Sequence, residues 1–345
     1  MKYRKYAIVF LFLLGLIILL FFVNMIYGSV RIPTNEVINI LLGKEVDRTA
    51  WMNIVLYSRV PQAFTALFAG AALAVSGLML QTLFRNPLAG PSILGISNGA
   101  AFGVAIVMMY FKGALDQYAW WAPGGSMSVI IAAFIGSLTV LLLIIYFSTK
   151  VKSNVLILII GMMIGYLASS GISILNSVAD TESVHSFVVW GLGSFSGVSA
   201  KQLPFFSLTI TFGLFLSILL IKPLHVLLLG ERYAVNLGIN IRRTRILIML
   251  CTGLLTAIVT AFCGPISFIG MAVPHIARLI LGTSNQKILL PATLLFGSAI
   301  ALLCNIMTVL PFGNELLPLN AITPFMGAPI IIYVIINRKN AQYFN

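Results

Sequence analysis

Residues 60–83 read VPQAFTALFAGAALAVSGLMLQTL, a stretch with no Asp, Glu, Lys or Arg. An α-helix needs about 20 mainly apolar residues to cross the hydrocarbon core of a bilayer. This stretch is therefore long and apolar enough to span a membrane as one helix. Nine further stretches share its apolar character: 6–27, 93–111, 127–147, 155–176, 203–221, 246–263, 266–282, 288–310 and 321–337.

The composition of the whole chain agrees with this interpretation. Of the 345 residues, 60% are hydrophobic and 8% are charged, whereas an ordinary soluble domain carries about 25% charged residues. The chain could not cover a water-facing surface, and ten spans with their connections use its full length. We therefore expect an all-α, polytopic membrane protein of about ten transmembrane helices, built as a single domain over residues 1–345.

The net charge of +13 does not indicate a nucleic-acid partner, because the charges lie mostly between the apolar stretches. Charges in these connections instead predict how the chain is oriented in the membrane. Lys and Arg accumulate on the cytoplasmic side of membrane proteins. With both termini inside, 15 of the 21 Lys and Arg residues fall on inner segments. The outer segments hold the other six: Arg31, Lys44, Arg48, Arg59, Lys112 and Lys201. We expect a multi-pass membrane protein with both termini in the cytoplasm.

The predicted spans contain no Asp or Glu. Ion-coupled transporters usually hold carboxylates at mid-membrane, and membrane hydrolases need clusters of carboxylates or histidines. The three histidines are far apart and the cysteines lack ligand spacing, so we expect no catalytic residues, no metal site and no cofactor. The phosphate-binding pattern G-x-x-x-x-G-K-[ST] is also missing. Energy for uphill transport would have to come from a partner subunit.

Two inner segments differ from simple connectors. In 85–91 (RNPLAGP), two prolines bracket a glycine and prevent the helix from continuing; the loop is either a tight hairpin or a rigid lip at the cytoplasmic mouth. In 223–245, glycines bracket a short helical stretch, followed by a basic cluster. Here Ala234 and Leu237–Gly238 offer a small apolar face. Spacing alone leaves two alternatives for this segment, a helix lying on anionic lipid or a docking knob for a cytoplasmic partner.

The sequence closely resembles the permease subunits of bacterial ABC importers for iron–siderophores, haem and cobalamin. The likeness runs in order from about residue 31 to 338. Its motifs are 58–61 (SRVP), 70–81 (GAALAVSGLMLQ), 85–91 (RNPLAGP), 94–100 (LGISNGA), 190–195 (WGLGSF), 229–231 (LGE), 237–238 (LG), 264–270 (GPISFIG), 273–279 (VPHIARL), 322–323 (IT) and 327–329 (GAP).

This resemblance implies a type II ABC importer permease of ten helices, paired with a second permease copy as a homodimer whose passage lies between the subunits. Cytoplasmic ABC ATPase subunits and an extracytoplasmic solute-binding protein would be its other partners. The resemblance also implies site residues. They are an ATPase coupling helix at Gly230, Glu231, Arg232, Ala234, Leu237 and Gly238, a cytoplasmic gate at Asn86, Pro87 and Leu88, and a passage lined by Ser169, Ser170 and Ser173.

Docking of the binding protein is expected at Arg59, which matches one of the outer arginines of the family. Where relatives often carry a second arginine this chain has Gln62, and near the ninth span it has Asn305 and Val309 in place of an aspartate and an arginine. Arg31 or Lys201 could substitute. Family breadth favours an iron–siderophore as the substrate, with haem or cobalamin as alternatives.

Two other classes of function are alternatives to a permease of an ABC importer. The runner-up is a secondary transporter driven by an ion gradient, which the carboxylate-free spans argue against. The third is a membrane enzyme, which would require a catalytic cluster that the sequence does not contain. Uptake by the chain alone under an ion gradient would distinguish the runner-up.

Overall fold

The computed structural model of the protein describes residues 2–44, 46, 48–111, 127–151, 153–309 and 317–336. All regular structure in these ranges is helical. Six of the helices are long and apolar enough to cross a membrane, and a seventh span results if two helices joined by a 50° bend are counted together. Three shorter apolar helices account for the remaining predicted stretches. The expected all-α, polytopic architecture is confirmed.

In chain order the α-helices are α1 (Lys2–Ile26), α2 (Thr34–Leu41), α3 (Thr49–Ile54), α4 (Val60–Phe84), α5 (Ile96–Ala105), α6 (Met127–Lys150), α7 (Asn154–Val178), α8 (Thr181–Gly191), α9 (Leu203–Leu219), α10 (Ile221–Leu228), α11 (Glu231–Asn236), α12 (Ile241–Cys263), α13 (Ile269–Leu281), α14 (Gln286–Met307) and α15 (Leu319–Ile336). The π-helical segment Val55–Arg59 joins α3 to α4, and a second one, Ile106–Tyr110, extends α5. The outer cation Lys112 and the ends of the ninth and tenth predicted stretches, residues 310 and 337, lie outside the described residues.

Helix α4 is the centre of the fold, and nearly all of its residues are buried. It packs against α9, α12, α13 and α14. Two glycine pairs let the backbones touch: a Cβ added at Gly70 would overlap the carbonyl of Gly297 in α14, and one added at Gly77 would overlap the carbonyl of Gly270 in α13. In a bilayer, close van der Waals approach of this kind replaces the hydrophobic force that joins helices in water. The glycines of the predicted second span are therefore packing residues.

The predicted eighth span is short, and an irregular segment precedes it. Residues 264–267 are not helical, and Gly264 and Phe268 both have positive φ angles, of 73° and 67°. The following helix α13 has 13 residues and contains Pro274. Pro265 and Pro274 contribute to this break, because proline has no backbone N–H to donate within a helix. The segment is covered by protein, because Asn320 at the start of α15 donates to the carbonyls of Gly191 and Pro265.

The segments between the predicted spans contain more helices than we expected from the sequence. Helices α2 and α3 occupy the predicted first outer segment, and α8 occupies the third. On the predicted inner side, α9 bends by 50° into α10, so the sixth span continues past residue 221. These helices are short, and α2 and α10 are amphipathic. A search for long apolar stretches does not detect such elements.

Candidate functional site

The segment predicted to couple the permease to an ATPase folds as a short helix between two glycines. Gly230 and Gly238 have φ angles of 107° and 80°, which L-residues with a side chain rarely adopt. The turn after α11 closes when Ile239 N–H donates to the carbonyl of Ala234 over 2.9 Å. This hydrogen bond and a glycine in the left-handed region are typical of a helix C-terminus. The two glycines thus set both ends of the predicted coupling helix.

Two faces of this helix differ in what they contact. Tyr233, Val235 and Leu237 are exposed by 66%, 58% and 62%, and Arg232 and Gly238 are exposed beside them. Ala234, in contrast, is fully buried in the main hydrophobic core. The sequence analysis placed Ala234 on the free apolar face together with Leu237. That placement was wrong, because the helix turns Ala234 inward and presents Tyr233 and Val235 with Leu237.

Glu231 also points into the protein. Its Oε1 accepts hydrogen bonds from the guanidinium of Arg245 in α12 and from the amide of Asn154 in α7, each over 3.1 Å. The Arg245 side chain is 8% exposed and that of Glu231 is 41% exposed. The Asn154 amide donates in addition to the carbonyl of Leu83 in α4 over 3.2 Å. The Glu231 carboxylate therefore connects the coupling helix directly to α7 and α12, and the Asn154 amide extends this connection to α4.

The predicted gate loop follows the end of α4 in a fixed turn. Arg85 ends the helix in the left-handed conformation, with φ 47° and ψ 36°. The side chain of Asn86 then accepts from the N–H of Leu88 over 2.9 Å. This is the Asx turn that an asparagine two residues before the donor favours. Leu88 at the tip is 39% exposed, so the loop presents an apolar residue on a backbone that its own side chains hold in place.

Helix α13 fixes the other side of the gate loop. Nε2 of the buried His275 lies 2.7 Å from the carbonyl oxygen of Pro87. One turn further along, Arg278 donates to Oε1 of Gln81 over 2.7 Å, and the Gln81 amide donates to the carbonyl of Met271. In the sequence, His275 and Arg278 stand out only as parts of the motif at residues 273–279. The structure shows that they hold the end of α4 and the gate loop against α13.

Ser169, Ser170 and Ser173 lie together on the exposed face of α7. Tyr166 is exposed by 67% one turn before them. The opposite face packs on α5 through Gly161 and Gly165. Serines on an otherwise apolar helix face are better suited to an aqueous passage than to lipid. Their role in lining a passage stays a prediction.

Arg59 lies inside the protein instead of on its outer face. The side chain is 4% exposed. Its guanidinium donates to the carbonyls of Met25 and Ile26 over 2.7 and 2.8 Å, and to that of Val30. The last carbonyls of a helix lack partners within the helix, so Arg59 completes the end of α1. In this position it is not presented to a partner, and the docking role stays a prediction that would require the side chain to leave this site. Arg31 and Lys201, by contrast, are exposed.

An Arg59→Gln variant is expected to lower the stability of the permease by about 3 kcal/mol, because hydrogen bonds from a charged group contribute about 1.5–3 kcal/mol each. Thermal unfolding of the detergent-purified chain measures this. The matched control is Arg31→Gln, an exposed arginine whose loss should stay within about 0.5 kcal/mol. Unchanged unfolding of Arg59→Gln combined with weaker capture of the binding protein would restore the docking assignment.

Three amide side chains form a buried cluster at the ends of α1, α4 and α14. Asn305 donates to Oδ1 of Asn24 over 2.6 Å, and Gln62 donates to Oδ1 of Asn305 over 3.0 Å. Asn24 donates to the carbonyls of Leu20 and Leu302. The sequence analysis noted Gln62 and Asn305 as two separate departures from the family pattern. The structure brings them into contact, so a neutral amide pair occupies two positions at which the family resemblance implies charged side chains.

Comparisons with known proteins agree with this geometry. The model of the FecCD transport family matches residues 16–337. A protein assigned as an ABC transporter permease in Methanocaldococcus jannaschii is 30% identical, over 97% of this chain and 96% of that protein. The vitamin B12 import system permease protein BtuC of Klebsiella pneumoniae is 32% identical, over 81% of this chain and 82% of its own. A solved structure of an ABC transporter assigned to the metal-chelate type, in an inward-facing conformation, superposes with a TM-score of 0.81 at 27% identity, covering 96% of this chain and 99% of that one.

Proposed function

Because this chain belongs to the FecCD transport family and is a permease subunit of the metal-chelate type of ABC importer, we propose that it carries a chelated metal inward across the bacterial inner membrane. Partner subunits on the cytoplasmic face hydrolyse ATP, and a solute-binding protein delivers the chelate on the outer face. Two copies of the chain enclose the passage. Both termini lie in the cytoplasm, as the distribution of Lys and Arg indicates.

The observation that carries this proposal is the arrangement of the coupling helix. Glu231 and Ala234 fasten it to the transmembrane helices, while Tyr233, Val235 and Leu237 stay exposed. A helix that lay on lipid would need no ion pair to a transmembrane helix to fix its direction. A helix that is displaced by a partner subunit does need such an ion pair, because the displacement must pass to the transmembrane helices. Tyr233 is of the residue type that often forms the energetic centre of protein interfaces, and Val235 and Leu237 extend the exposed apolar surface beside it.

The proposed path for the chelate follows the exposed serines of α7. Facing Ser169, Ser170 and Ser173 across the axis of a dimer, the same residues of the second copy would complete a polar wall. The loop at Asn86, Pro87 and Leu88 would close the inner end, with its position set by the Asx turn and by His275. Alternating access then requires that coupling-helix motion shift the equilibrium between two arrangements of the subunits.

The chelate itself is a ferric siderophore, haem or a corrinoid. Family breadth favours the siderophore. The relatives named for vitamin B12 import are the observation that favours the corrinoid. The binding protein selects the solute before the permease meets it, so lining residues such as the α7 serines carry little information about the choice.

The proposed function is tested in liposomes that contain the chain together with its ATPase, a solute-binding protein and ATP. We expect one of three labelled compounds, a ferric siderophore, haem or cobalamin, to accumulate only when ATPase and ATP are both present. Liposomes with the chain alone and a proton or sodium gradient are the control, and accumulation there would establish the secondary transporter instead. An assembled complex that hydrolyses ATP in response to the binding protein but accumulates none of the three compounds would contradict the proposed substrate class.

A further inference from the structure

A groove of about 430 Å³ opens between α6, α9 and α12. Its lining is aliphatic and aromatic apart from the thiol of Cys251 and the backbone at Gly253. The rim is exposed: Leu219 by 60% and Leu247, Leu250 and Leu138 by about 40%. Neither α7, which carries the serines of the proposed passage, nor the coupling helix contributes to the groove. It is therefore separate from the sites described above.

Two cations come close in the sequence to residues that line this groove, one before Leu247 in α12 and one after Leu220. Arg243, Leu247, Leu250 and Leu254 follow a spacing of four, three and four residues, which places them on one face of α12. Lys222 comes two residues after Leu220, which lines the groove at the bend into α10. Both cations are exposed, and neither has an ion-pair partner among the residues that the structure describes.

No acidic side chain competes for these cations nearby in the sequence. Glu231 is the one acidic residue on the predicted inner segments. Its carboxylate is already engaged by Arg245. The end of the groove therefore presents positive charge next to an apolar surface at membrane depth. This combination matches an anionic headgroup above an acyl chain, since basic pockets between transmembrane helices bind anionic lipid headgroups.

We propose that this groove binds one anionic phospholipid, with an acyl chain between α6, α9 and α12 and its phosphate at Arg243 and Lys222. The cations determine the choice of headgroup, and the apolar wall holds the chain. A cleft of this volume lies within the range of small-molecule sites in proteins. The proposal depends on the membrane location of the chain and not on which chelate it carries.

The test is native mass spectrometry of the full-length permease, released from detergent with phosphatidylglycerol or with phosphatidylcholine of the same acyl chains. Phosphatidylglycerol should bind in preference. Arg243→Gln and Lys222→Gln should each lower its affinity about fivefold, because one Lys or Arg contributes about 1 kcal/mol to binding an anionic membrane lipid. Lys287→Gln is the matched control, since it removes an exposed cation from α14, which does not line the groove.

A groove-filling variant tests the apolar part of the site. Leu250→Trp should remove the bound lipid whatever its headgroup, and thermal unfolding checks that the variant is folded. Equal affinity for the two lipids, or an equal loss with Lys287→Gln, would overturn the proposal. A change in oligomeric state of Leu250→Trp with lipid binding unchanged would assign the groove to a second copy of the chain and would overturn it as well.

Discussion

Replacing Leu237 with aspartate is expected to abolish ATP-driven uptake while leaving the purified permease folded. Leu237 is 62% exposed, so the substitution should change the stability by less than about 0.5 kcal/mol. At an interface it would bury a charge where an apolar side chain is proposed to dock. Loss of an interface hot spot costs about 2 kcal/mol or more, which is about a 30-fold loss of affinity. Co-purification of the ATPase and uptake into liposomes measure the effect.

Two further variants make this result specific. Leu42→Asp is the matched control, because Leu42 is also an exposed leucine, at 65%, but follows α2 on the predicted outer side. It should retain the ATPase. Glu231→Ala should give a different outcome, since it removes an inward acceptor rather than a docking side chain. We expect the ATPase to bind but uptake to fail. Full uptake by Leu237→Asp would contradict the assignment of the coupling helix and favour the lipid-surface alternative.

A Gly77→Ala variant is expected to prevent the chain from reaching its folded state. The added methyl group would overlap the carbonyl oxygen of Gly270 in α13. Overpacking usually costs about 1–3 kcal/mol. Here the obstacle is backbone rather than a movable side chain, so we expect about 4 kcal/mol or more. The yield of monodisperse permease after detergent extraction, with its melting temperature, measures the loss.

Gly15→Ala is the matched control for this prediction. Gly15 lies in α1, and an added Cβ there would meet no atom within 4 Å. Because alanine favours a helix over glycine by about 0.5–1 kcal/mol, this variant should be neutral or slightly more stable. If Gly77→Ala gave normal yield and melting, α4 and α13 could not be packed as closely as the structure places them.

Most of the fold could be predicted from the chain because apolar length and charge are properties of local sequence. Each of the ten apolar stretches contains a helix within the residues that the structure describes, and Pro265 lies in the irregular segment before α13. The partners of the glycines could not be predicted. Gly77 packs against Gly270, nearly 200 residues away in the sequence, and the residues around either glycine do not indicate which residue it contacts. The bend between α9 and α10 was missed for a similar reason, since the apolar character continues through it.

The sites were predictable in position but not in orientation. The motifs placed the predicted coupling helix and the predicted gate loop at segments where the structure has a helix between two glycines and an Asx turn. They did not reveal that Ala234 and Glu231 face inward, because that depends on α7 and α12. The orientation of Arg59 could not be predicted either. Its motif predicted a contact on the outer face, whereas the side chain is buried and donates to three carbonyl groups about 30 residues earlier, at and just after the end of α1.

The amide of Asn154 touches both the carboxylate of Glu231 and the carbonyl of Leu83. Only two residues separate Leu83 from Asn86, where the gate loop begins. If residues 230–238 couple to an ATPase as proposed, a displacement of that helix would reach the predicted gate loop through this one amide. Asn154 would then link engagement of the ATPase to opening of the inner end of the passage.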